Sequence, residues 1–193
     1  MARTVLVFSD SRGNTGFNSQ TPANGSWPQI VDAARADLTM LVRHKNGRTT
    51  VEGLTQIDAA IADAQAAGEF TDGILLLGVA DLLSVTGATS VDVAQRLDQM
   101  AAKIETAGAR AWICAEPPGP IAWGGYAWMD ARRFTRDNVA EVAKLGRRVI
   151  QMRDEFQRPS LNWYVTTNSN DQLHPTGLPA RQAMADAVLA VLP

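Results

Sequence analysis

The strongest constraint on this chain is an alternation of short apolar runs with amphipathic stretches. The apolar runs are Thr4–Phe8, Leu38–Arg43, Gly73–Leu77, Ala109–Cys114 and Leu161–Thr166. Short, continuous runs of this kind read as parallel strands buried on both faces. Between them lie helical patterns. Trp27–Ala36 follows Ser26 as a candidate N-cap, with Pro28 in the first turn. Val51–Ala67 stops at Gly68. Val91–Ala107 places Val93, Leu97, Met100 and Ile104 on one stripe and stops at Gly108. Phe134–Phe156 carries Val139, Val142, Leu145, Val149 and Met152 on one face, and Leu178–Leu192 closes the chain. Ser90 and Thr135 are the expected N-caps of the third and fourth helices. Strands alternating with helices imply a parallel sheet covered on both faces. The expected fold is a three-layer α/β/α flavodoxin-like sandwich with a five-stranded parallel sheet. No linker composition or long repeat interrupts it, so residues 1–193 are expected to form a single domain.

Composition narrows the function. The chain has 193 residues, 46% hydrophobic and 20% charged, with a net charge of −2, which is ordinary for a soluble globular protein. No Lys/Arg run exceeds two residues, and nothing here gives the basic footprint of a nucleic-acid binder. Cys114 is the sole cysteine, which excludes an intrachain disulfide. The run Val5-Leu6-Val7-Phe8 is too short for a signal-peptide core, and no run approaches a membrane span. A cytoplasmic location is the expectation, with neither membrane nor nucleic acid as partner.

In an open parallel sheet the ligand site lies outside the carboxyl ends of the strands. After the first strand comes Ser9-Asp10-Ser11-Arg12-Gly13-Asn14-Thr15-Gly16. Ser11 there is either an exposed nucleophile or one polar residue of an ordinary turn. After the fifth run comes Asp171-Gln172-Leu173-His174-Pro175. The three-residue spacing lets Asp171 reach the imidazole Nδ1–H of His174, leaving Nε2 to take a serine proton. The alternative is a surface loop with a helix-capping aspartate. His174 is one of only two histidines.

Four segments, in order along the chain, resemble the sequence blocks of the SGNH (GDSL-type) hydrolases. Phe8-Ser9-Asp10-Ser11 resembles the first block, usually Gly-Asp-Ser, and Asn46-Gly47-Arg48-Thr49-Thr50 the block that supplies an oxyanion glycine. Leu77-Gly78-Val79-Ala80-Asp81-Leu82 resembles the Gly-x-Asn-Asp block, and Asp171 to Pro175 the Asp-x-x-His-Pro block. The resemblance implies a serine esterase with a Ser11–His174–Asp171 triad, acting on small acyl esters, O-acetyl groups on carbohydrate among them, with no cofactor. It implies an oxyanion hole from the backbone N–H groups of Ser11 and Gly47. The family's third donor is an asparagine side chain, and Ala80 stands in its place. Losing one such donor typically costs about 10²–10³ in rate. Ser9 replaces the first-block glycine.

Other residues carry weaker signals. Asn14, Val79, Trp123, Tyr126 and Trp128 are expected to line a substrate site, the last three from the aromatic segment Pro117–Asp130. That segment reads equally as a loop pinned by its own packing or as an oligomer contact. His44 is expected to be structural or solvated, Cys114 an inert core residue, and Asp81 an organiser of its turn. Arg132-Arg133 and Arg147-Arg148 read as solvated helix faces, and no cluster has metal-ligand spacing. Two further readings stand beside the esterase. One is a non-catalytic SGNH-like domain that binds carbohydrate or protein, favoured by Ala80. The other is a flavodoxin-like FMN module, because Arg12-Gly13-Asn14-Thr15 resembles a phosphate loop before a helix. That reading leaves Asp171 and His174 unexplained.

Overall fold

The computed structural model describes residues 2–13, 25–83, 88–117, 131–156, 174–175 and 177–193. The described strands are β1 (Arg3–Ser9), β2 (Leu38–His44), β3 (Glu69–Leu76), β4 (Arg110–Cys114) and β5 (Arg148–Ile150). They form one parallel sheet in the order β2-β1-β3-β4-β5. The helices are α1 (Trp27–Ala34), α2 (Thr50–Ala67), α3 (Val79–Leu83), α4 (Ser90–Thr106), α5 (Ala131–Ala143), α6 (Met152–Glu155) and α7 (Leu178–Leu189). This is the expected α/β sandwich.

Strand β1 is central. It pairs with β2 from Arg3↔Leu38 to Ser9↔His44 and with β3 from Arg3↔Glu69 to Ser9↔Leu76. Its side chains alternate between two cores, as the pleat requires. Val5 and Val7 join Trp27, Val31, Met184 and Val188 on the face covered by α1, α6 and α7. Leu6 and Phe8 join Ile57, Leu97, Met100 and Ile104 on the face covered by α2 and α4. Burying each such large side chain contributes about 1.5–3 kcal/mol. The strand order reverses between β1 and β3, and Ser11 and Ala80 follow their carboxyl ends, where open parallel sheets bind ligands.

The helix starts follow local chemistry. The Ser26 N–H donates to Gln29 Oε1 at 2.9 Å, closing the start of α1. The Thr49 hydroxyl accepts from Glu52 N–H at the start of α2. At α4 the N-cap is Thr89, which accepts from Asp92 N–H; Ser90 is the first helical residue and not the cap. Thr135 is also no cap: α5 begins at Ala131, and Thr135 is buried inside it.

The expected helix Phe134–Phe156 is broken in two. Gly146 adopts φ +67°, a left-handed conformation that ends a helix. After it, Arg148–Ile150 joins the sheet edge, with Trp112↔Arg148 and Cys114↔Ile150 in register. Val149 therefore belongs to a strand. A helical stripe runs through Val142, Leu145, Val149 and Met152, and a three-residue strand is too short to break that spacing in sequence. The fifth described strand is thus β5, while Leu161–Thr166 lies outside the described residues. Arg147 and Arg148 are not solvated helix faces: Arg147 Nε donates to Asp98 Oδ1 at 2.6 Å and its guanidinium also pairs with Glu105, fastening the strand entry to α4. Arg148 lies in β5 and pairs with Glu105 at 3.3 Å. Arg133 does sit exposed on α5 and pairs with Asp137. Among the described residues no helix is long and apolar enough to cross a membrane.

Candidate active site

Ser11 opens a short 3-10 turn, Ser11–Gly13, directly beyond β1. Its Oγ lies 2.8 Å from Nε2 of His174, a residue 163 positions away in sequence. That is hydrogen-bond reach, as a nucleophile and its base require. Ser11 is half-buried, whereas the imidazole of His174 is buried. Asp171 lies outside the described residues, as do Asn14, Trp123, Tyr126 and Trp128.

The turn around Ser11 is tightly held. Asp10 N–H donates to Leu76 O at 3.1 Å, tying the turn to the end of β3. Asp10 Oδ1 accepts from the Arg12 backbone N–H at 2.9 Å and from Arg12 Nε at 3.0 Å, and its Oδ2 pairs with Arg12 Nη2 at 2.6 Å. Trp27 Nε1 donates to the Arg12 carbonyl at 3.1 Å. Gly13 has no room for a side chain, since a Cβ there would stand 1.9 Å from Ser9 Oγ. Ser9 Oγ itself is buried with no hydrogen-bond partner among the described residues.

The segments expected to supply oxyanion donors sit beside this turn. Gly47 is exposed in the turn after β2, with φ +67°. Its neighbour Arg48 is buried and lies over the Phe8 ring, 4.2 Å from the centroid. Arg48 Nη1 donates to Ser9 O at 2.8 Å, and Lys45 N–H donates to the same carbonyl at 3.2 Å. Ala80 lies buried in the first turn of α3. Asp81 accepts from both the Thr50 N–H (2.8 Å) and the Thr50 hydroxyl (2.7 Å), which ties α3 to the start of α2. Burial pushes the Asp81 pKa up, and these hydrogen bonds and Arg96 pull it down. Val79 is buried and its N–H donates to Glu116 Oε2 at 3.0 Å.

Sequence reasoning did not single out Arg12 or Glu116. Both are buried to within 2% of complete and form an ion pair at 2.8 Å between Nη2 and Oε2. Glu116 Oε1 also accepts from Asn138 Nδ2 of α5 at 2.9 Å. The signal was present: Arg12 adjoins the serine, and Glu116 lies just past the carboxyl end of β4. Cys114 is buried, and burial pushes its thiol pKa far up, as an inert core cysteine requires. His44 ends β2 and is exposed. Among the described residues no group of His, Cys, Asp and Glu could hold a metal ion.

No protein-family model matches this chain, and no curated protein matches it in sequence. Solved structures do match in fold. A lipolytic protein of the G-D-S-L family from Veillonella parvula superposes with a TM-score of 0.71 at 17% identity, covering 99% of this chain and 98% of that one. A lipase/acylhydrolase from Enterococcus faecalis gives 0.76 at 14% identity, covering 97% and 94%. A carbohydrate acetylesterase from Sinorhizobium meliloti gives 0.75 at 18% identity, covering 98% and 100%. The chain has the SGNH-type hydrolase fold.

Proposed function

We propose that this chain is a serine hydrolase of carboxylic esters. The observation that carries the reading is the 2.8 Å contact of Ser11 Oγ with His174 Nε2 at the carboxyl edge of the sheet. The fold it shares with acyl hydrolases and a carbohydrate acetylesterase supports it. In this reading Ser11 Oγ attacks the ester carbonyl while His174 Nε2 takes its proton. The tetrahedral intermediate collapses, the alcohol leaves with the proton from His174, and an acyl-Ser11 ester remains. Water, deprotonated by His174, then attacks that ester and releases the carboxylic acid. Asp171 holds the imidazole in the productive tautomer. The backbone N–H groups of Ser11 and Gly47 receive the oxyanion, and Ala80 contributes no side-chain donor. Short acyl esters, including O-acetyl groups on carbohydrate, are the substrate class.

The test is a fluorophosphonate probe followed by peptide mapping. Ser11 should be labelled, and Ser11→Ala should abolish both labelling and hydrolysis of short esters. An unlabelled wild-type protein inert to every short ester overturns the reading. The second reading, a non-catalytic domain that binds carbohydrate or protein, then takes its place; the methyl group of Ala80 at the family's asparagine position favours it.

A further inference from the structure

The G-D-S-L motif names a leucine after the serine, and this chain carries Arg12 there. An arginine in a position walled off from water needs compensation, because an unpaired buried charge is strongly destabilising. Arg12 has it on two sides. Asp10, from the same turn, takes Nε and Nη2, and Glu116, from the end of β4, takes Nη2 as well. The two carboxylates more than offset the effect of burial and raise the Arg12 pKa. Burial pushes the Glu116 pKa up, while Arg12 and Asn138 oppose it. Among the described residues every partner of Glu116 is a donor: Arg12 Nη2, Asn138 Nδ2 and Val79 N–H. The carboxylate form is therefore the one this environment fits.

The contacts of Glu116 join two halves of the site. One of its oxygens receives both the guanidinium that flanks Ser11 and the backbone N–H of Val79, the residue before Ala80. Its other oxygen packs against Gly78, where a Cβ would approach to 2.2 Å, so the carboxylate lies directly on that backbone. We propose that Arg12 and Glu116 are positioning residues, a buried ion pair that locks the Ser11 turn to the Gly78–Ala80 segment and so sets the distance between the nucleophile and the oxyanion side of the site. This inference rests on the serine-hydrolase reading. It assigns to a cation-carboxylate link part of the rigidity on the side where Ala80 supplies no side-chain donor.

The experiment compares Arg12→Leu, Glu116→Ala, Glu116→Asp and Glu116→Gln. The readouts are fluorophosphonate labelling rate, kcat and KM on one short ester, at a temperature where each variant is folded by circular dichroism. Arg12→Leu and Glu116→Ala should lower the labelling rate and kcat by about 10- to 100-fold, with KM changed less than about threefold, since displacements near 1 Å cost this much. Glu116→Asp keeps the charge and withdraws it by one methylene; it should fold and still be slow. Glu116→Gln keeps the shape and the hydrogen bond to Val79 but removes the charge that compensates Arg12, so it should recover only part of what Glu116→Ala loses and stay slower than wild type. Its amide oxygen can accept from Val79, and a flip of Asn138 would turn that residue's Oδ1, without a hydrogen-bond partner among the described residues, toward the new NH₂. If folded Glu116→Asp and either truncation label at the wild-type rate, the inference is overturned. It is equally overturned if Glu116→Gln labels and turns over at the wild-type rate, or if only stability changes across the series. Wild-type protein that is never labelled overturns the hydrolase reading itself, which is a separate outcome.

Discussion

After β1 the chain presents a hydroxyl, Ser11, and reaches 163 residues forward to His174 for its partner. After β3 it presents a methyl group, Ala80, and the neighbouring Asp81 carboxylate accepts from Thr50. The first side is held from within: Asp10 and Arg12 bracket the serine and bind each other. The second is tied to other elements, by Glu116 on Val79 N–H and by its own Asp81 on Thr50. The difference teaches that one strand end can carry its candidate chemistry in a side chain while the next is a main-chain segment clamped by carboxylates. Only the first kind is visible as a motif.

Five measurements break or sharpen this contrast. The largest effect is expected on the nucleophile side. Ser11→Ala should lower kcat/KM on short esters by about 10³-fold or more, leaving only binding and oxyanion stabilisation. Full activity in that variant would place the chemistry elsewhere. Asp171→Asn should keep the fold but favour the wrong imidazole tautomer, lowering kcat by up to about 10⁴; unchanged turnover would mean that another acceptor orients His174.

On the other flank the expected change has the opposite sign. Ala80→Asn should raise kcat by at most about 10²-fold with little change in KM, by adding a donor aimed at the developing oxyanion. Ala80 is buried, so the new amide has to find room, and a gain well below that limit is the expected result. A folded variant no faster than wild type would show that another residue already fills the role or that this segment does not follow the family's path. Asp81→Ala strands two buried donors of Thr50 and should cost about 2–3 kcal/mol in denaturant unfolding. A loss below about 0.5 kcal/mol would mean that water or a neighbour takes over.

The smallest effect lies at the opposite edge of the sheet and serves as a control. Asp37 is exposed and pairs with Arg35 and Arg3. The Arg35 hydrogen bonds, then Arg3, hold its carboxyl well below the usual carboxylate range. A depressed folded-state pKa gives stability above the unfolded value of 3.8, lost as pH falls through and below it. Between about pH 6 and pH 3 the melting temperature of Asp37→Asn should therefore fall slightly less than that of wild type, in keeping with an exposed pair. Ester hydrolysis at neutral pH should not change. A slower enzyme would mean that rigidity at the amino edge reaches the site.

The amino acid order alone determined the layered α/β architecture, because runs such as Val5–Phe8 and Ile74–Leu77 can be buried only between two helical layers. It also marked Ser11 and His174, since residues with rare chemistry at strand ends stand out from their surroundings. It misread Arg148–Ile150, where helical spacing continues by chance across Gly146 and sheet pairing outweighs local pattern. It marked Arg12 beside the serine and Glu116 past a strand end but not that they meet Asn138 and each other, because a buried ion pair between residues a hundred positions apart leaves no periodicity that joins them. Tertiary structure alone decided that meeting: the parallel order β1-β3-β4 brings three strand ends to one edge, where dehydrated charges must find each other or not be charged at all.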